Sequence, residues 1–241
     1  MSHDQIYDKP QDPVKAFKFD RKVVNVFPDM IKRSVPGYEL IINQISILTN
    51  YYAKSGCNYY DLGASLGAAT LAMRENIQYP DCHIYAIDNS PDMINECRNN
   101  ISPHDATVQV DFICADIRDI KIQKAQMVVL NFTLQFIQPS QRNDLLKGIY
   151  NGLNDGGILI LSEKIAFENK EEQNLQTDLH YEFKRANGYS ELEISQKRTA
   201  LENVLIPETV KQNKERLLSA GFSESFLWFQ CYNFASILAI K

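Results

Sequence analysis

The stretch that most constrains this chain is Tyr59-Tyr60-Asp61-Leu62-Gly63-Ala64-Ser65-Leu66-Gly67. It reads as the end of a buried strand, a tight turn and the start of a helix. In a doubly wound α/β sheet that junction receives a nucleotide-like ligand. Gly63 lets the backbone turn sharply and lets a ligand approach closely. Ala64 and Ser65 keep the turn narrow, and Gly67 lets the next helix pack near the sheet. Alone, such a turn serves equally as a packing device; the segments that follow it decide between the two.

A second apolar run, His83-Ile84-Tyr85-Ala86-Ile87, closes on Asp88 and is followed by Asn89-Ser90-Pro91. Asp88 falls 27 positions after Asp61, somewhat beyond the roughly 20-residue step of dinucleotide folds. An acid there can accept hydrogen bonds from both hydroxyls of a ribose. A third run, Asp111-Phe112-Ile113-Cys114, leads to Asp116-Ile117, an acid for an adenine amino group beside an apolar side chain for the ring. A fourth, Met127-Val128-Val129-Leu130, ends in Asn131-Phe132. These ordered strand ends resemble the class I S-adenosylmethionine-dependent methyltransferase fold. The resemblance implies a Rossmann-like α/β domain with a seven-stranded, mostly parallel sheet and an antiparallel edge strand.

The 241 residues, 44% apolar and 23% charged, suit a globular protein with a sizeable core. The net charge of −5 argues against a broad nucleic-acid-binding surface. Cys57, Cys82, Cys97, Cys114 and Cys231 are scattered without CxxC spacing. They read as reduced, mostly buried thiols of a cytoplasmic protein, and no metal site is expected. The polar Met1-Ser2-His3-Asp4 is no signal peptide, and no apolar run approaches the length of a membrane span.

Residues 1–20 read as a flexible or draped arm. Val23, Val24, Val26 and Phe27 before Pro28 predict a short helical piece. Leu40, Ile41, Ile45, Leu48 and Tyr52 recur at helical spacing over 39–52. A first crossover helix is expected over 69–77. Ser90 as N-cap and Pro91 at the first position open a second, which runs to about 101 and stops at Ser102-Pro103. Pro139-Ser140 begin another helix, with Leu145, Leu146, Ile149 and Leu153 on one face; Asn154-Asp155-Gly156-Gly157 reads as a turn. Ile158-Leu159-Ile160-Leu161 is the fifth strand, closing at Ser162-Glu163-Lys164. Alternating strands and helices predict a parallel sheet. Residues 167–206 are too long for one crossover helix. They read as a helical insertion in two pieces parted at Asn187-Gly188: a solvated lid, a substrate cap or a dimer arm. A last crossover helix over 207–220 ends at Gly221. Strands over 226–232 and 234–240, linked through Asn233, make an antiparallel pair at the sheet edge.

The segment Asn131-Phe132-Thr133-Leu134-Gln135-Phe136 lacks the proline pair that many nitrogen-methylating enzymes carry after the fourth strand. It suggests a small-molecule pocket. His3, His83, His104 and His180 share no motif; His180, in the insertion, faces either way. The insertion brings Lys184-Arg185 and Gln196-Lys197-Arg198 into an acidic chain. An arginine fork suits a carboxylate; a solvent-facing helix arginine is the plainer alternative.

Phe27-Pro28-Asp29-Met30-Ile31, Arg33-Ser34-Val35-Pro36-Gly37-Tyr38, the 61–67 turn, Ala86 to Ser90, Val128 to Phe136 and Phe183 to Arg198 resemble the blocks of one family, carboxy-S-adenosyl-L-methionine synthase. The resemblance spans nearly the whole chain after residue 18. It implies a single S-adenosylmethionine-binding domain over 1–241. The implied reaction joins S-adenosyl-L-methionine and prephenate to give carboxy-S-adenosyl-L-methionine and phenylpyruvate. The sulfonium acidifies its methyl group, and an ylide there would capture the carbon dioxide lost by prephenate. A separate tRNA carboxymethyltransferase would use the product at wobble uridine, with no direct tRNA binding by this chain. Carried over, Tyr38, Gly63, Ala64, Ser65, Asp88, Asn89, Asp116, Ile117 and Asn131 would line the nucleoside site. Arg198 would bind the added carboxylate from the other subunit of a homodimer. The competing readings are an ordinary methyltransferase acting on a small molecule or tRNA, and a nonenzymatic S-adenosyl-binding protein.

Overall fold

The computed structural model describes residues 2–101 and 108–241. The helix stop expected at Ser102-Pro103, and His104, lie outside the described residues. The elements run α1 (Arg21–Ser34), α2 (Tyr38–Tyr52), β1 (Asn58–Leu62), α3 (Ala68–Arg74), β2 (His83–Asp88), α4 (Pro91–Ile101), β3 (Gln109–Cys114), β4 (Ala125–Asn131), α5 (Pro139–Gly152), β5 (Leu153–Ala166), α6 (Lys170–Ala186), α7 (Glu191–Leu201), β6 (Glu208–Thr209), α8 (Val210–Ala220), β7 (Glu224–Cys231) and β8 (Phe234–Ile240).

The sheet order is β3-β2-β1-β4-β5-β8-β7, with the two-residue β6 paired to the end of β5. Strands β1 to β5 are parallel. Strand β4 is buried at every residue but its last, which is why it reads as a continuous apolar run. Successive side chains go to opposite faces. Val128, Leu130, Leu159 and Leu161 pack with Leu145, Leu146 and Ile149 of α5 and Leu217 of α8. Met127, Val129, Ile158 and Ile160 pack with Ile41 and Ile45 of α2 and Ala69, Ala72 and Met73 of α3. The edge hairpin is antiparallel, as its short link requires. Within it β8 is the reversed strand, inserted between β5 and β7, so the outermost strand runs with the parallel set.

Three local expectations are corrected. The piece before Pro28 is not short: α1 continues through Pro28 to Ser34. A mid-helix proline costs about 3 kcal/mol. Burial of Val23, Val24, Val26 and Met30 offsets it, at roughly 1.5–3 kcal/mol for each fully buried side chain. The expected turn at 154–157 is a bulge inside β5: Ala125 pairs with Leu153, but Met127 already pairs with Ile158. Gly156 takes φ +73° there. The first crossover helix spans only Ala68–Arg74.

The arm is draped. The Gln11 amide donates to Gln196 Oε1 at 2.6 Å, Gln196 Nε2 donates to the carbonyls of Tyr7 and Lys9 at 2.9 Å, and the Phe17 amide donates to the Ala200 carbonyl at 2.9 Å. It thereby ties α7 down beside α1. Among the described residues no helix is long and apolar enough to cross a membrane.

Candidate active site

A cavity of about 360 Å³ opens at the carboxyl ends of β1, β2, β4 and β5, bounded by α1, the insertion and the arm. Ligands of α/β sheets bind in this place, where strand order reverses. Tyr38, Gly63, Ala64, Ser65, Asp88, Asn89, Asp116, Ile117 and Asn131 all line it. Arg198 does not; it is an exposed residue of α7.

The turn after β1 is clamped to β2. The amides of Gly63 and Ala64 both donate to the Ile87 carbonyl at 2.8 Å. The Ser65 amide donates to Asp88 Oδ2 and the Ser90 amide to Asp88 Oδ1, each at 2.9 Å. Burial raises the Asp88 carboxyl above its usual range against these two bonds. Each oxygen retains a second lone pair for a ligand hydroxyl. Asp88→Ala is therefore expected to weaken nucleoside binding sharply, since two charge-assisted bonds of roughly 1.5–3 kcal/mol each are lost. Calorimetry with S-adenosylhomocysteine measures this, and unchanged affinity would refute the role. A drop in the unfolding temperature is expected too, because the two amides lose their acceptor.

Asp61 is buried, accepts a hydrogen bond from Thr70 Oγ1 at 2.6 Å, and is lifted to about 6 by burial. The Asp116 carboxylate is already engaged by the Arg118 guanidinium and amide, which hold it below its usual range. Ile117 lies buried beside it. Asn131 Oδ1 is a buried acceptor without a partner among the described residues. The Tyr38 ring stacks on Phe132 at 6.3 Å, and burial followed by the Asp61 charge pushes its phenol up.

Two groups of residues receive no definite site role from the sequence, although Lys184, Lys197 and His180 are noted there. Glu163 accepts the amides of Leu134 and Gln135 at 2.9 and 2.8 Å, and Gln135 Oε1 accepts the Lys164 amide at 2.9 Å. These bonds fix the loop after β4; burial lifts Glu163 to about 8. The signal was a charged pair directly after an apolar strand. The second group is Lys164, Lys184, Lys197 and His180, all on the cavity wall. His180 Nε2 donates to the Ser34 carbonyl at 2.8 Å. Burial, then Lys184, lowers the ring to about 3, so it is neutral. Arg185, singled out with Lys184, instead pairs with Glu182 and Glu191 at the surface.

A family model described as a methyltransferase domain matches residues 60–157. The carboxy-S-adenosyl-L-methionine synthase of Citrifermentans bemidjiense is 59% identical over 239 residues, covering 99% of this chain and 98% of that one. The synthase of Shigella boydii is 55% identical over 242 residues, covering 100% and 98%. The chain belongs to the carboxy-S-adenosyl-L-methionine synthase family. Among solved structures, human N-acetylserotonin methyltransferase in complex with its S-adenosylmethionine superposes with a TM-score of 0.60 at 18% identity, over 92% of this chain and 55% of that longer one. At that identity the likeness shows the fold alone, a class I methyltransferase fold that this synthase family shares.

Proposed function

We propose that this chain makes carboxy-S-adenosyl-L-methionine and phenylpyruvate from S-adenosyl-L-methionine and prephenate. The observation that carries the reading is full-length identity to synthases of that name, joined to a cavity that opens where the fold takes a nucleoside. In the balanced reaction the ring–carboxyl bond of prephenate breaks and a bond from that carboxyl carbon to the sulfonium methyl carbon forms. The methyl proton and the ring hydroxyl leave together as water, and the ring becomes aromatic.

The residues divide the work. Asp88 takes the ribose, Asn89, Asp116 and Ile117 the adenine, and the Gly63-Ala64-Ser65 turn lies against the nucleoside. Tyr38 and Asn131 hold the methionine part. Phe19 packs edge-on against Phe27 and Phe136 at 6.4 and 5.3 Å, a hydrophobic wall that keeps water from the reacting methyl carbon. Arg198 reaches the new carboxylate from the second subunit of a homodimer. The product leaves for a tRNA carboxymethyltransferase in the cytoplasm; this chain itself does not bind tRNA and uses no metal.

Incubation with S-adenosyl-L-methionine, with and without prephenate, tests the reading through the mass of the nucleoside. Gain of one carboxyl group only when prephenate is present, with phenylpyruvate in equal amount, is the expected result. An unchanged nucleoside, or one that has lost its methyl group, would sink it.

A further inference from the structure

The sheet order separates charge within the cavity. Asp61, Asp88 and Asp116 enter from β1, β2 and the exit of β3, on one side of β4. Lys164 enters from β5, on the other side, and α6 and α7 bring Lys184 and Lys197. The side chains of Lys184 and Lys197 are among the buried ones.

Among the described residues only one of the three ammonium groups makes an ion pair. Lys197 Nζ donates to Ser34 Oγ at 3.1 Å and lies 3.8 Å from the buried Asp4 carboxylate. Lys164 and Lys184 make no side-chain hydrogen bond or ion pair among the described residues. Burial, then the charges of Lys197 and Lys164, lowers Lys184, and the Asp4 carboxylate opposes them only weakly. His180 beside them is neutral and contributes no charge. Burying an unpaired ammonium costs several kcal/mol. Folds break local rules of this kind chiefly at functional sites, and an anion arriving from solvent would relieve all three cations together.

We infer that Lys164, Lys184 and Lys197 form the subsite for the carboxylates of the second substrate, a compact dicarboxylate, at the end of the cavity away from the nucleoside. The inference rests on the reaction proposed above. The same cations would also suit the methionine carboxylate of the nucleoside, so the test separates the two sources.

Calorimetry on protein saturated with S-adenosylhomocysteine, which has no methyl group to react, reads prephenate binding without turnover. Wild type is expected to bind. Lys164→Met and Lys184→Met are each expected to weaken prephenate at least about tenfold, as loss of one partner of a buried charge pair does. Affinity for S-adenosylhomocysteine should stay within about twofold, and the unfolding temperature should hold or rise, since an unpaired buried charge is removed. Absence of prephenate binding by wild type, prephenate affinity unchanged in both folded variants, or an equal loss of S-adenosylhomocysteine affinity would overturn the subsite. Lysine-dependent prephenate binding without any carboxylated nucleoside on turnover would uphold the subsite and refute the reaction.

Discussion

Replacing Arg198 by alanine is expected to remove carboxylation by roughly a hundredfold or more, the scale of a lost buried charge pair, while S-adenosyl-L-methionine binding persists. Carboxy-S-adenosyl-L-methionine carries a carboxylate that S-adenosyl-L-methionine lacks. A guanidinium that meets it favours the product, and the transition state leading to it, over the starting nucleoside. Arg198→Lys should recover little, because an ammonium cannot reproduce the two-pronged geometry. Within one chain Arg198 is exposed on α7 and lies off the cavity wall. The role proposed for it therefore requires a second chain. Mixing the Arg198→Ala chain with an Asp88→Ala chain should restore activity, since one site of each mixed dimer keeps both residues. Product formation no higher than either variant alone, in a mixture shown to exchange subunits, would place Arg198 outside any active site.

Gly63→Ala is expected to cost at least about a hundredfold in S-adenosyl-L-methionine affinity and about 2–4 kcal/mol of stability, the range of a strained backbone position combined with overpacking. Gly63 holds φ +86°, which disfavours any side chain. A Cβ there would also sit 2.3 Å from Thr133 Oγ1 and 2.5 Å from Thr133 Cγ2. Thr133 cannot swing away freely, because the neighbouring amides of Leu134 and Gln135 are held by Glu163. The strain therefore falls on the turn that lines the cavity. Adding Thr133→Ala should recover part of the loss by removing the two closest atoms, and leave the backbone strain. Calorimetry and thermal unfolding read both effects. Full affinity in Gly63→Ala would mean that the turn does not govern nucleoside binding.

The strand ends were legible because their signal is local. An apolar run that stops on Asp61, Asp88 or Asn131 marks both the end of a buried strand and the level of the sheet at which a ligand sits. Ser90-Pro91 likewise marked the start of α4 through the chemistry of its own few atoms. Pro28 misled for the opposite reason. Its local cost is outweighed by apolar contacts with Met93 and the arm, which lie far away in sequence.

The sequence by itself determined the βα order, the parallel sheet and the strand-end residues that line the cavity, since hydrophobic period and turn chemistry are properties of short segments. It determined no more of the insertion than two helices rich in charge. On a helix read alone, Lys184 and Arg185 are equivalent cations. Tertiary structure separated them: α6 lies across the strand ends, so Lys184 turns into the cavity beside Lys164 while Arg185 pairs at the surface. Burial of charge depends on which distant elements meet over a side chain, and here that meeting of β5, α6 and α7 exists only in the folded chain.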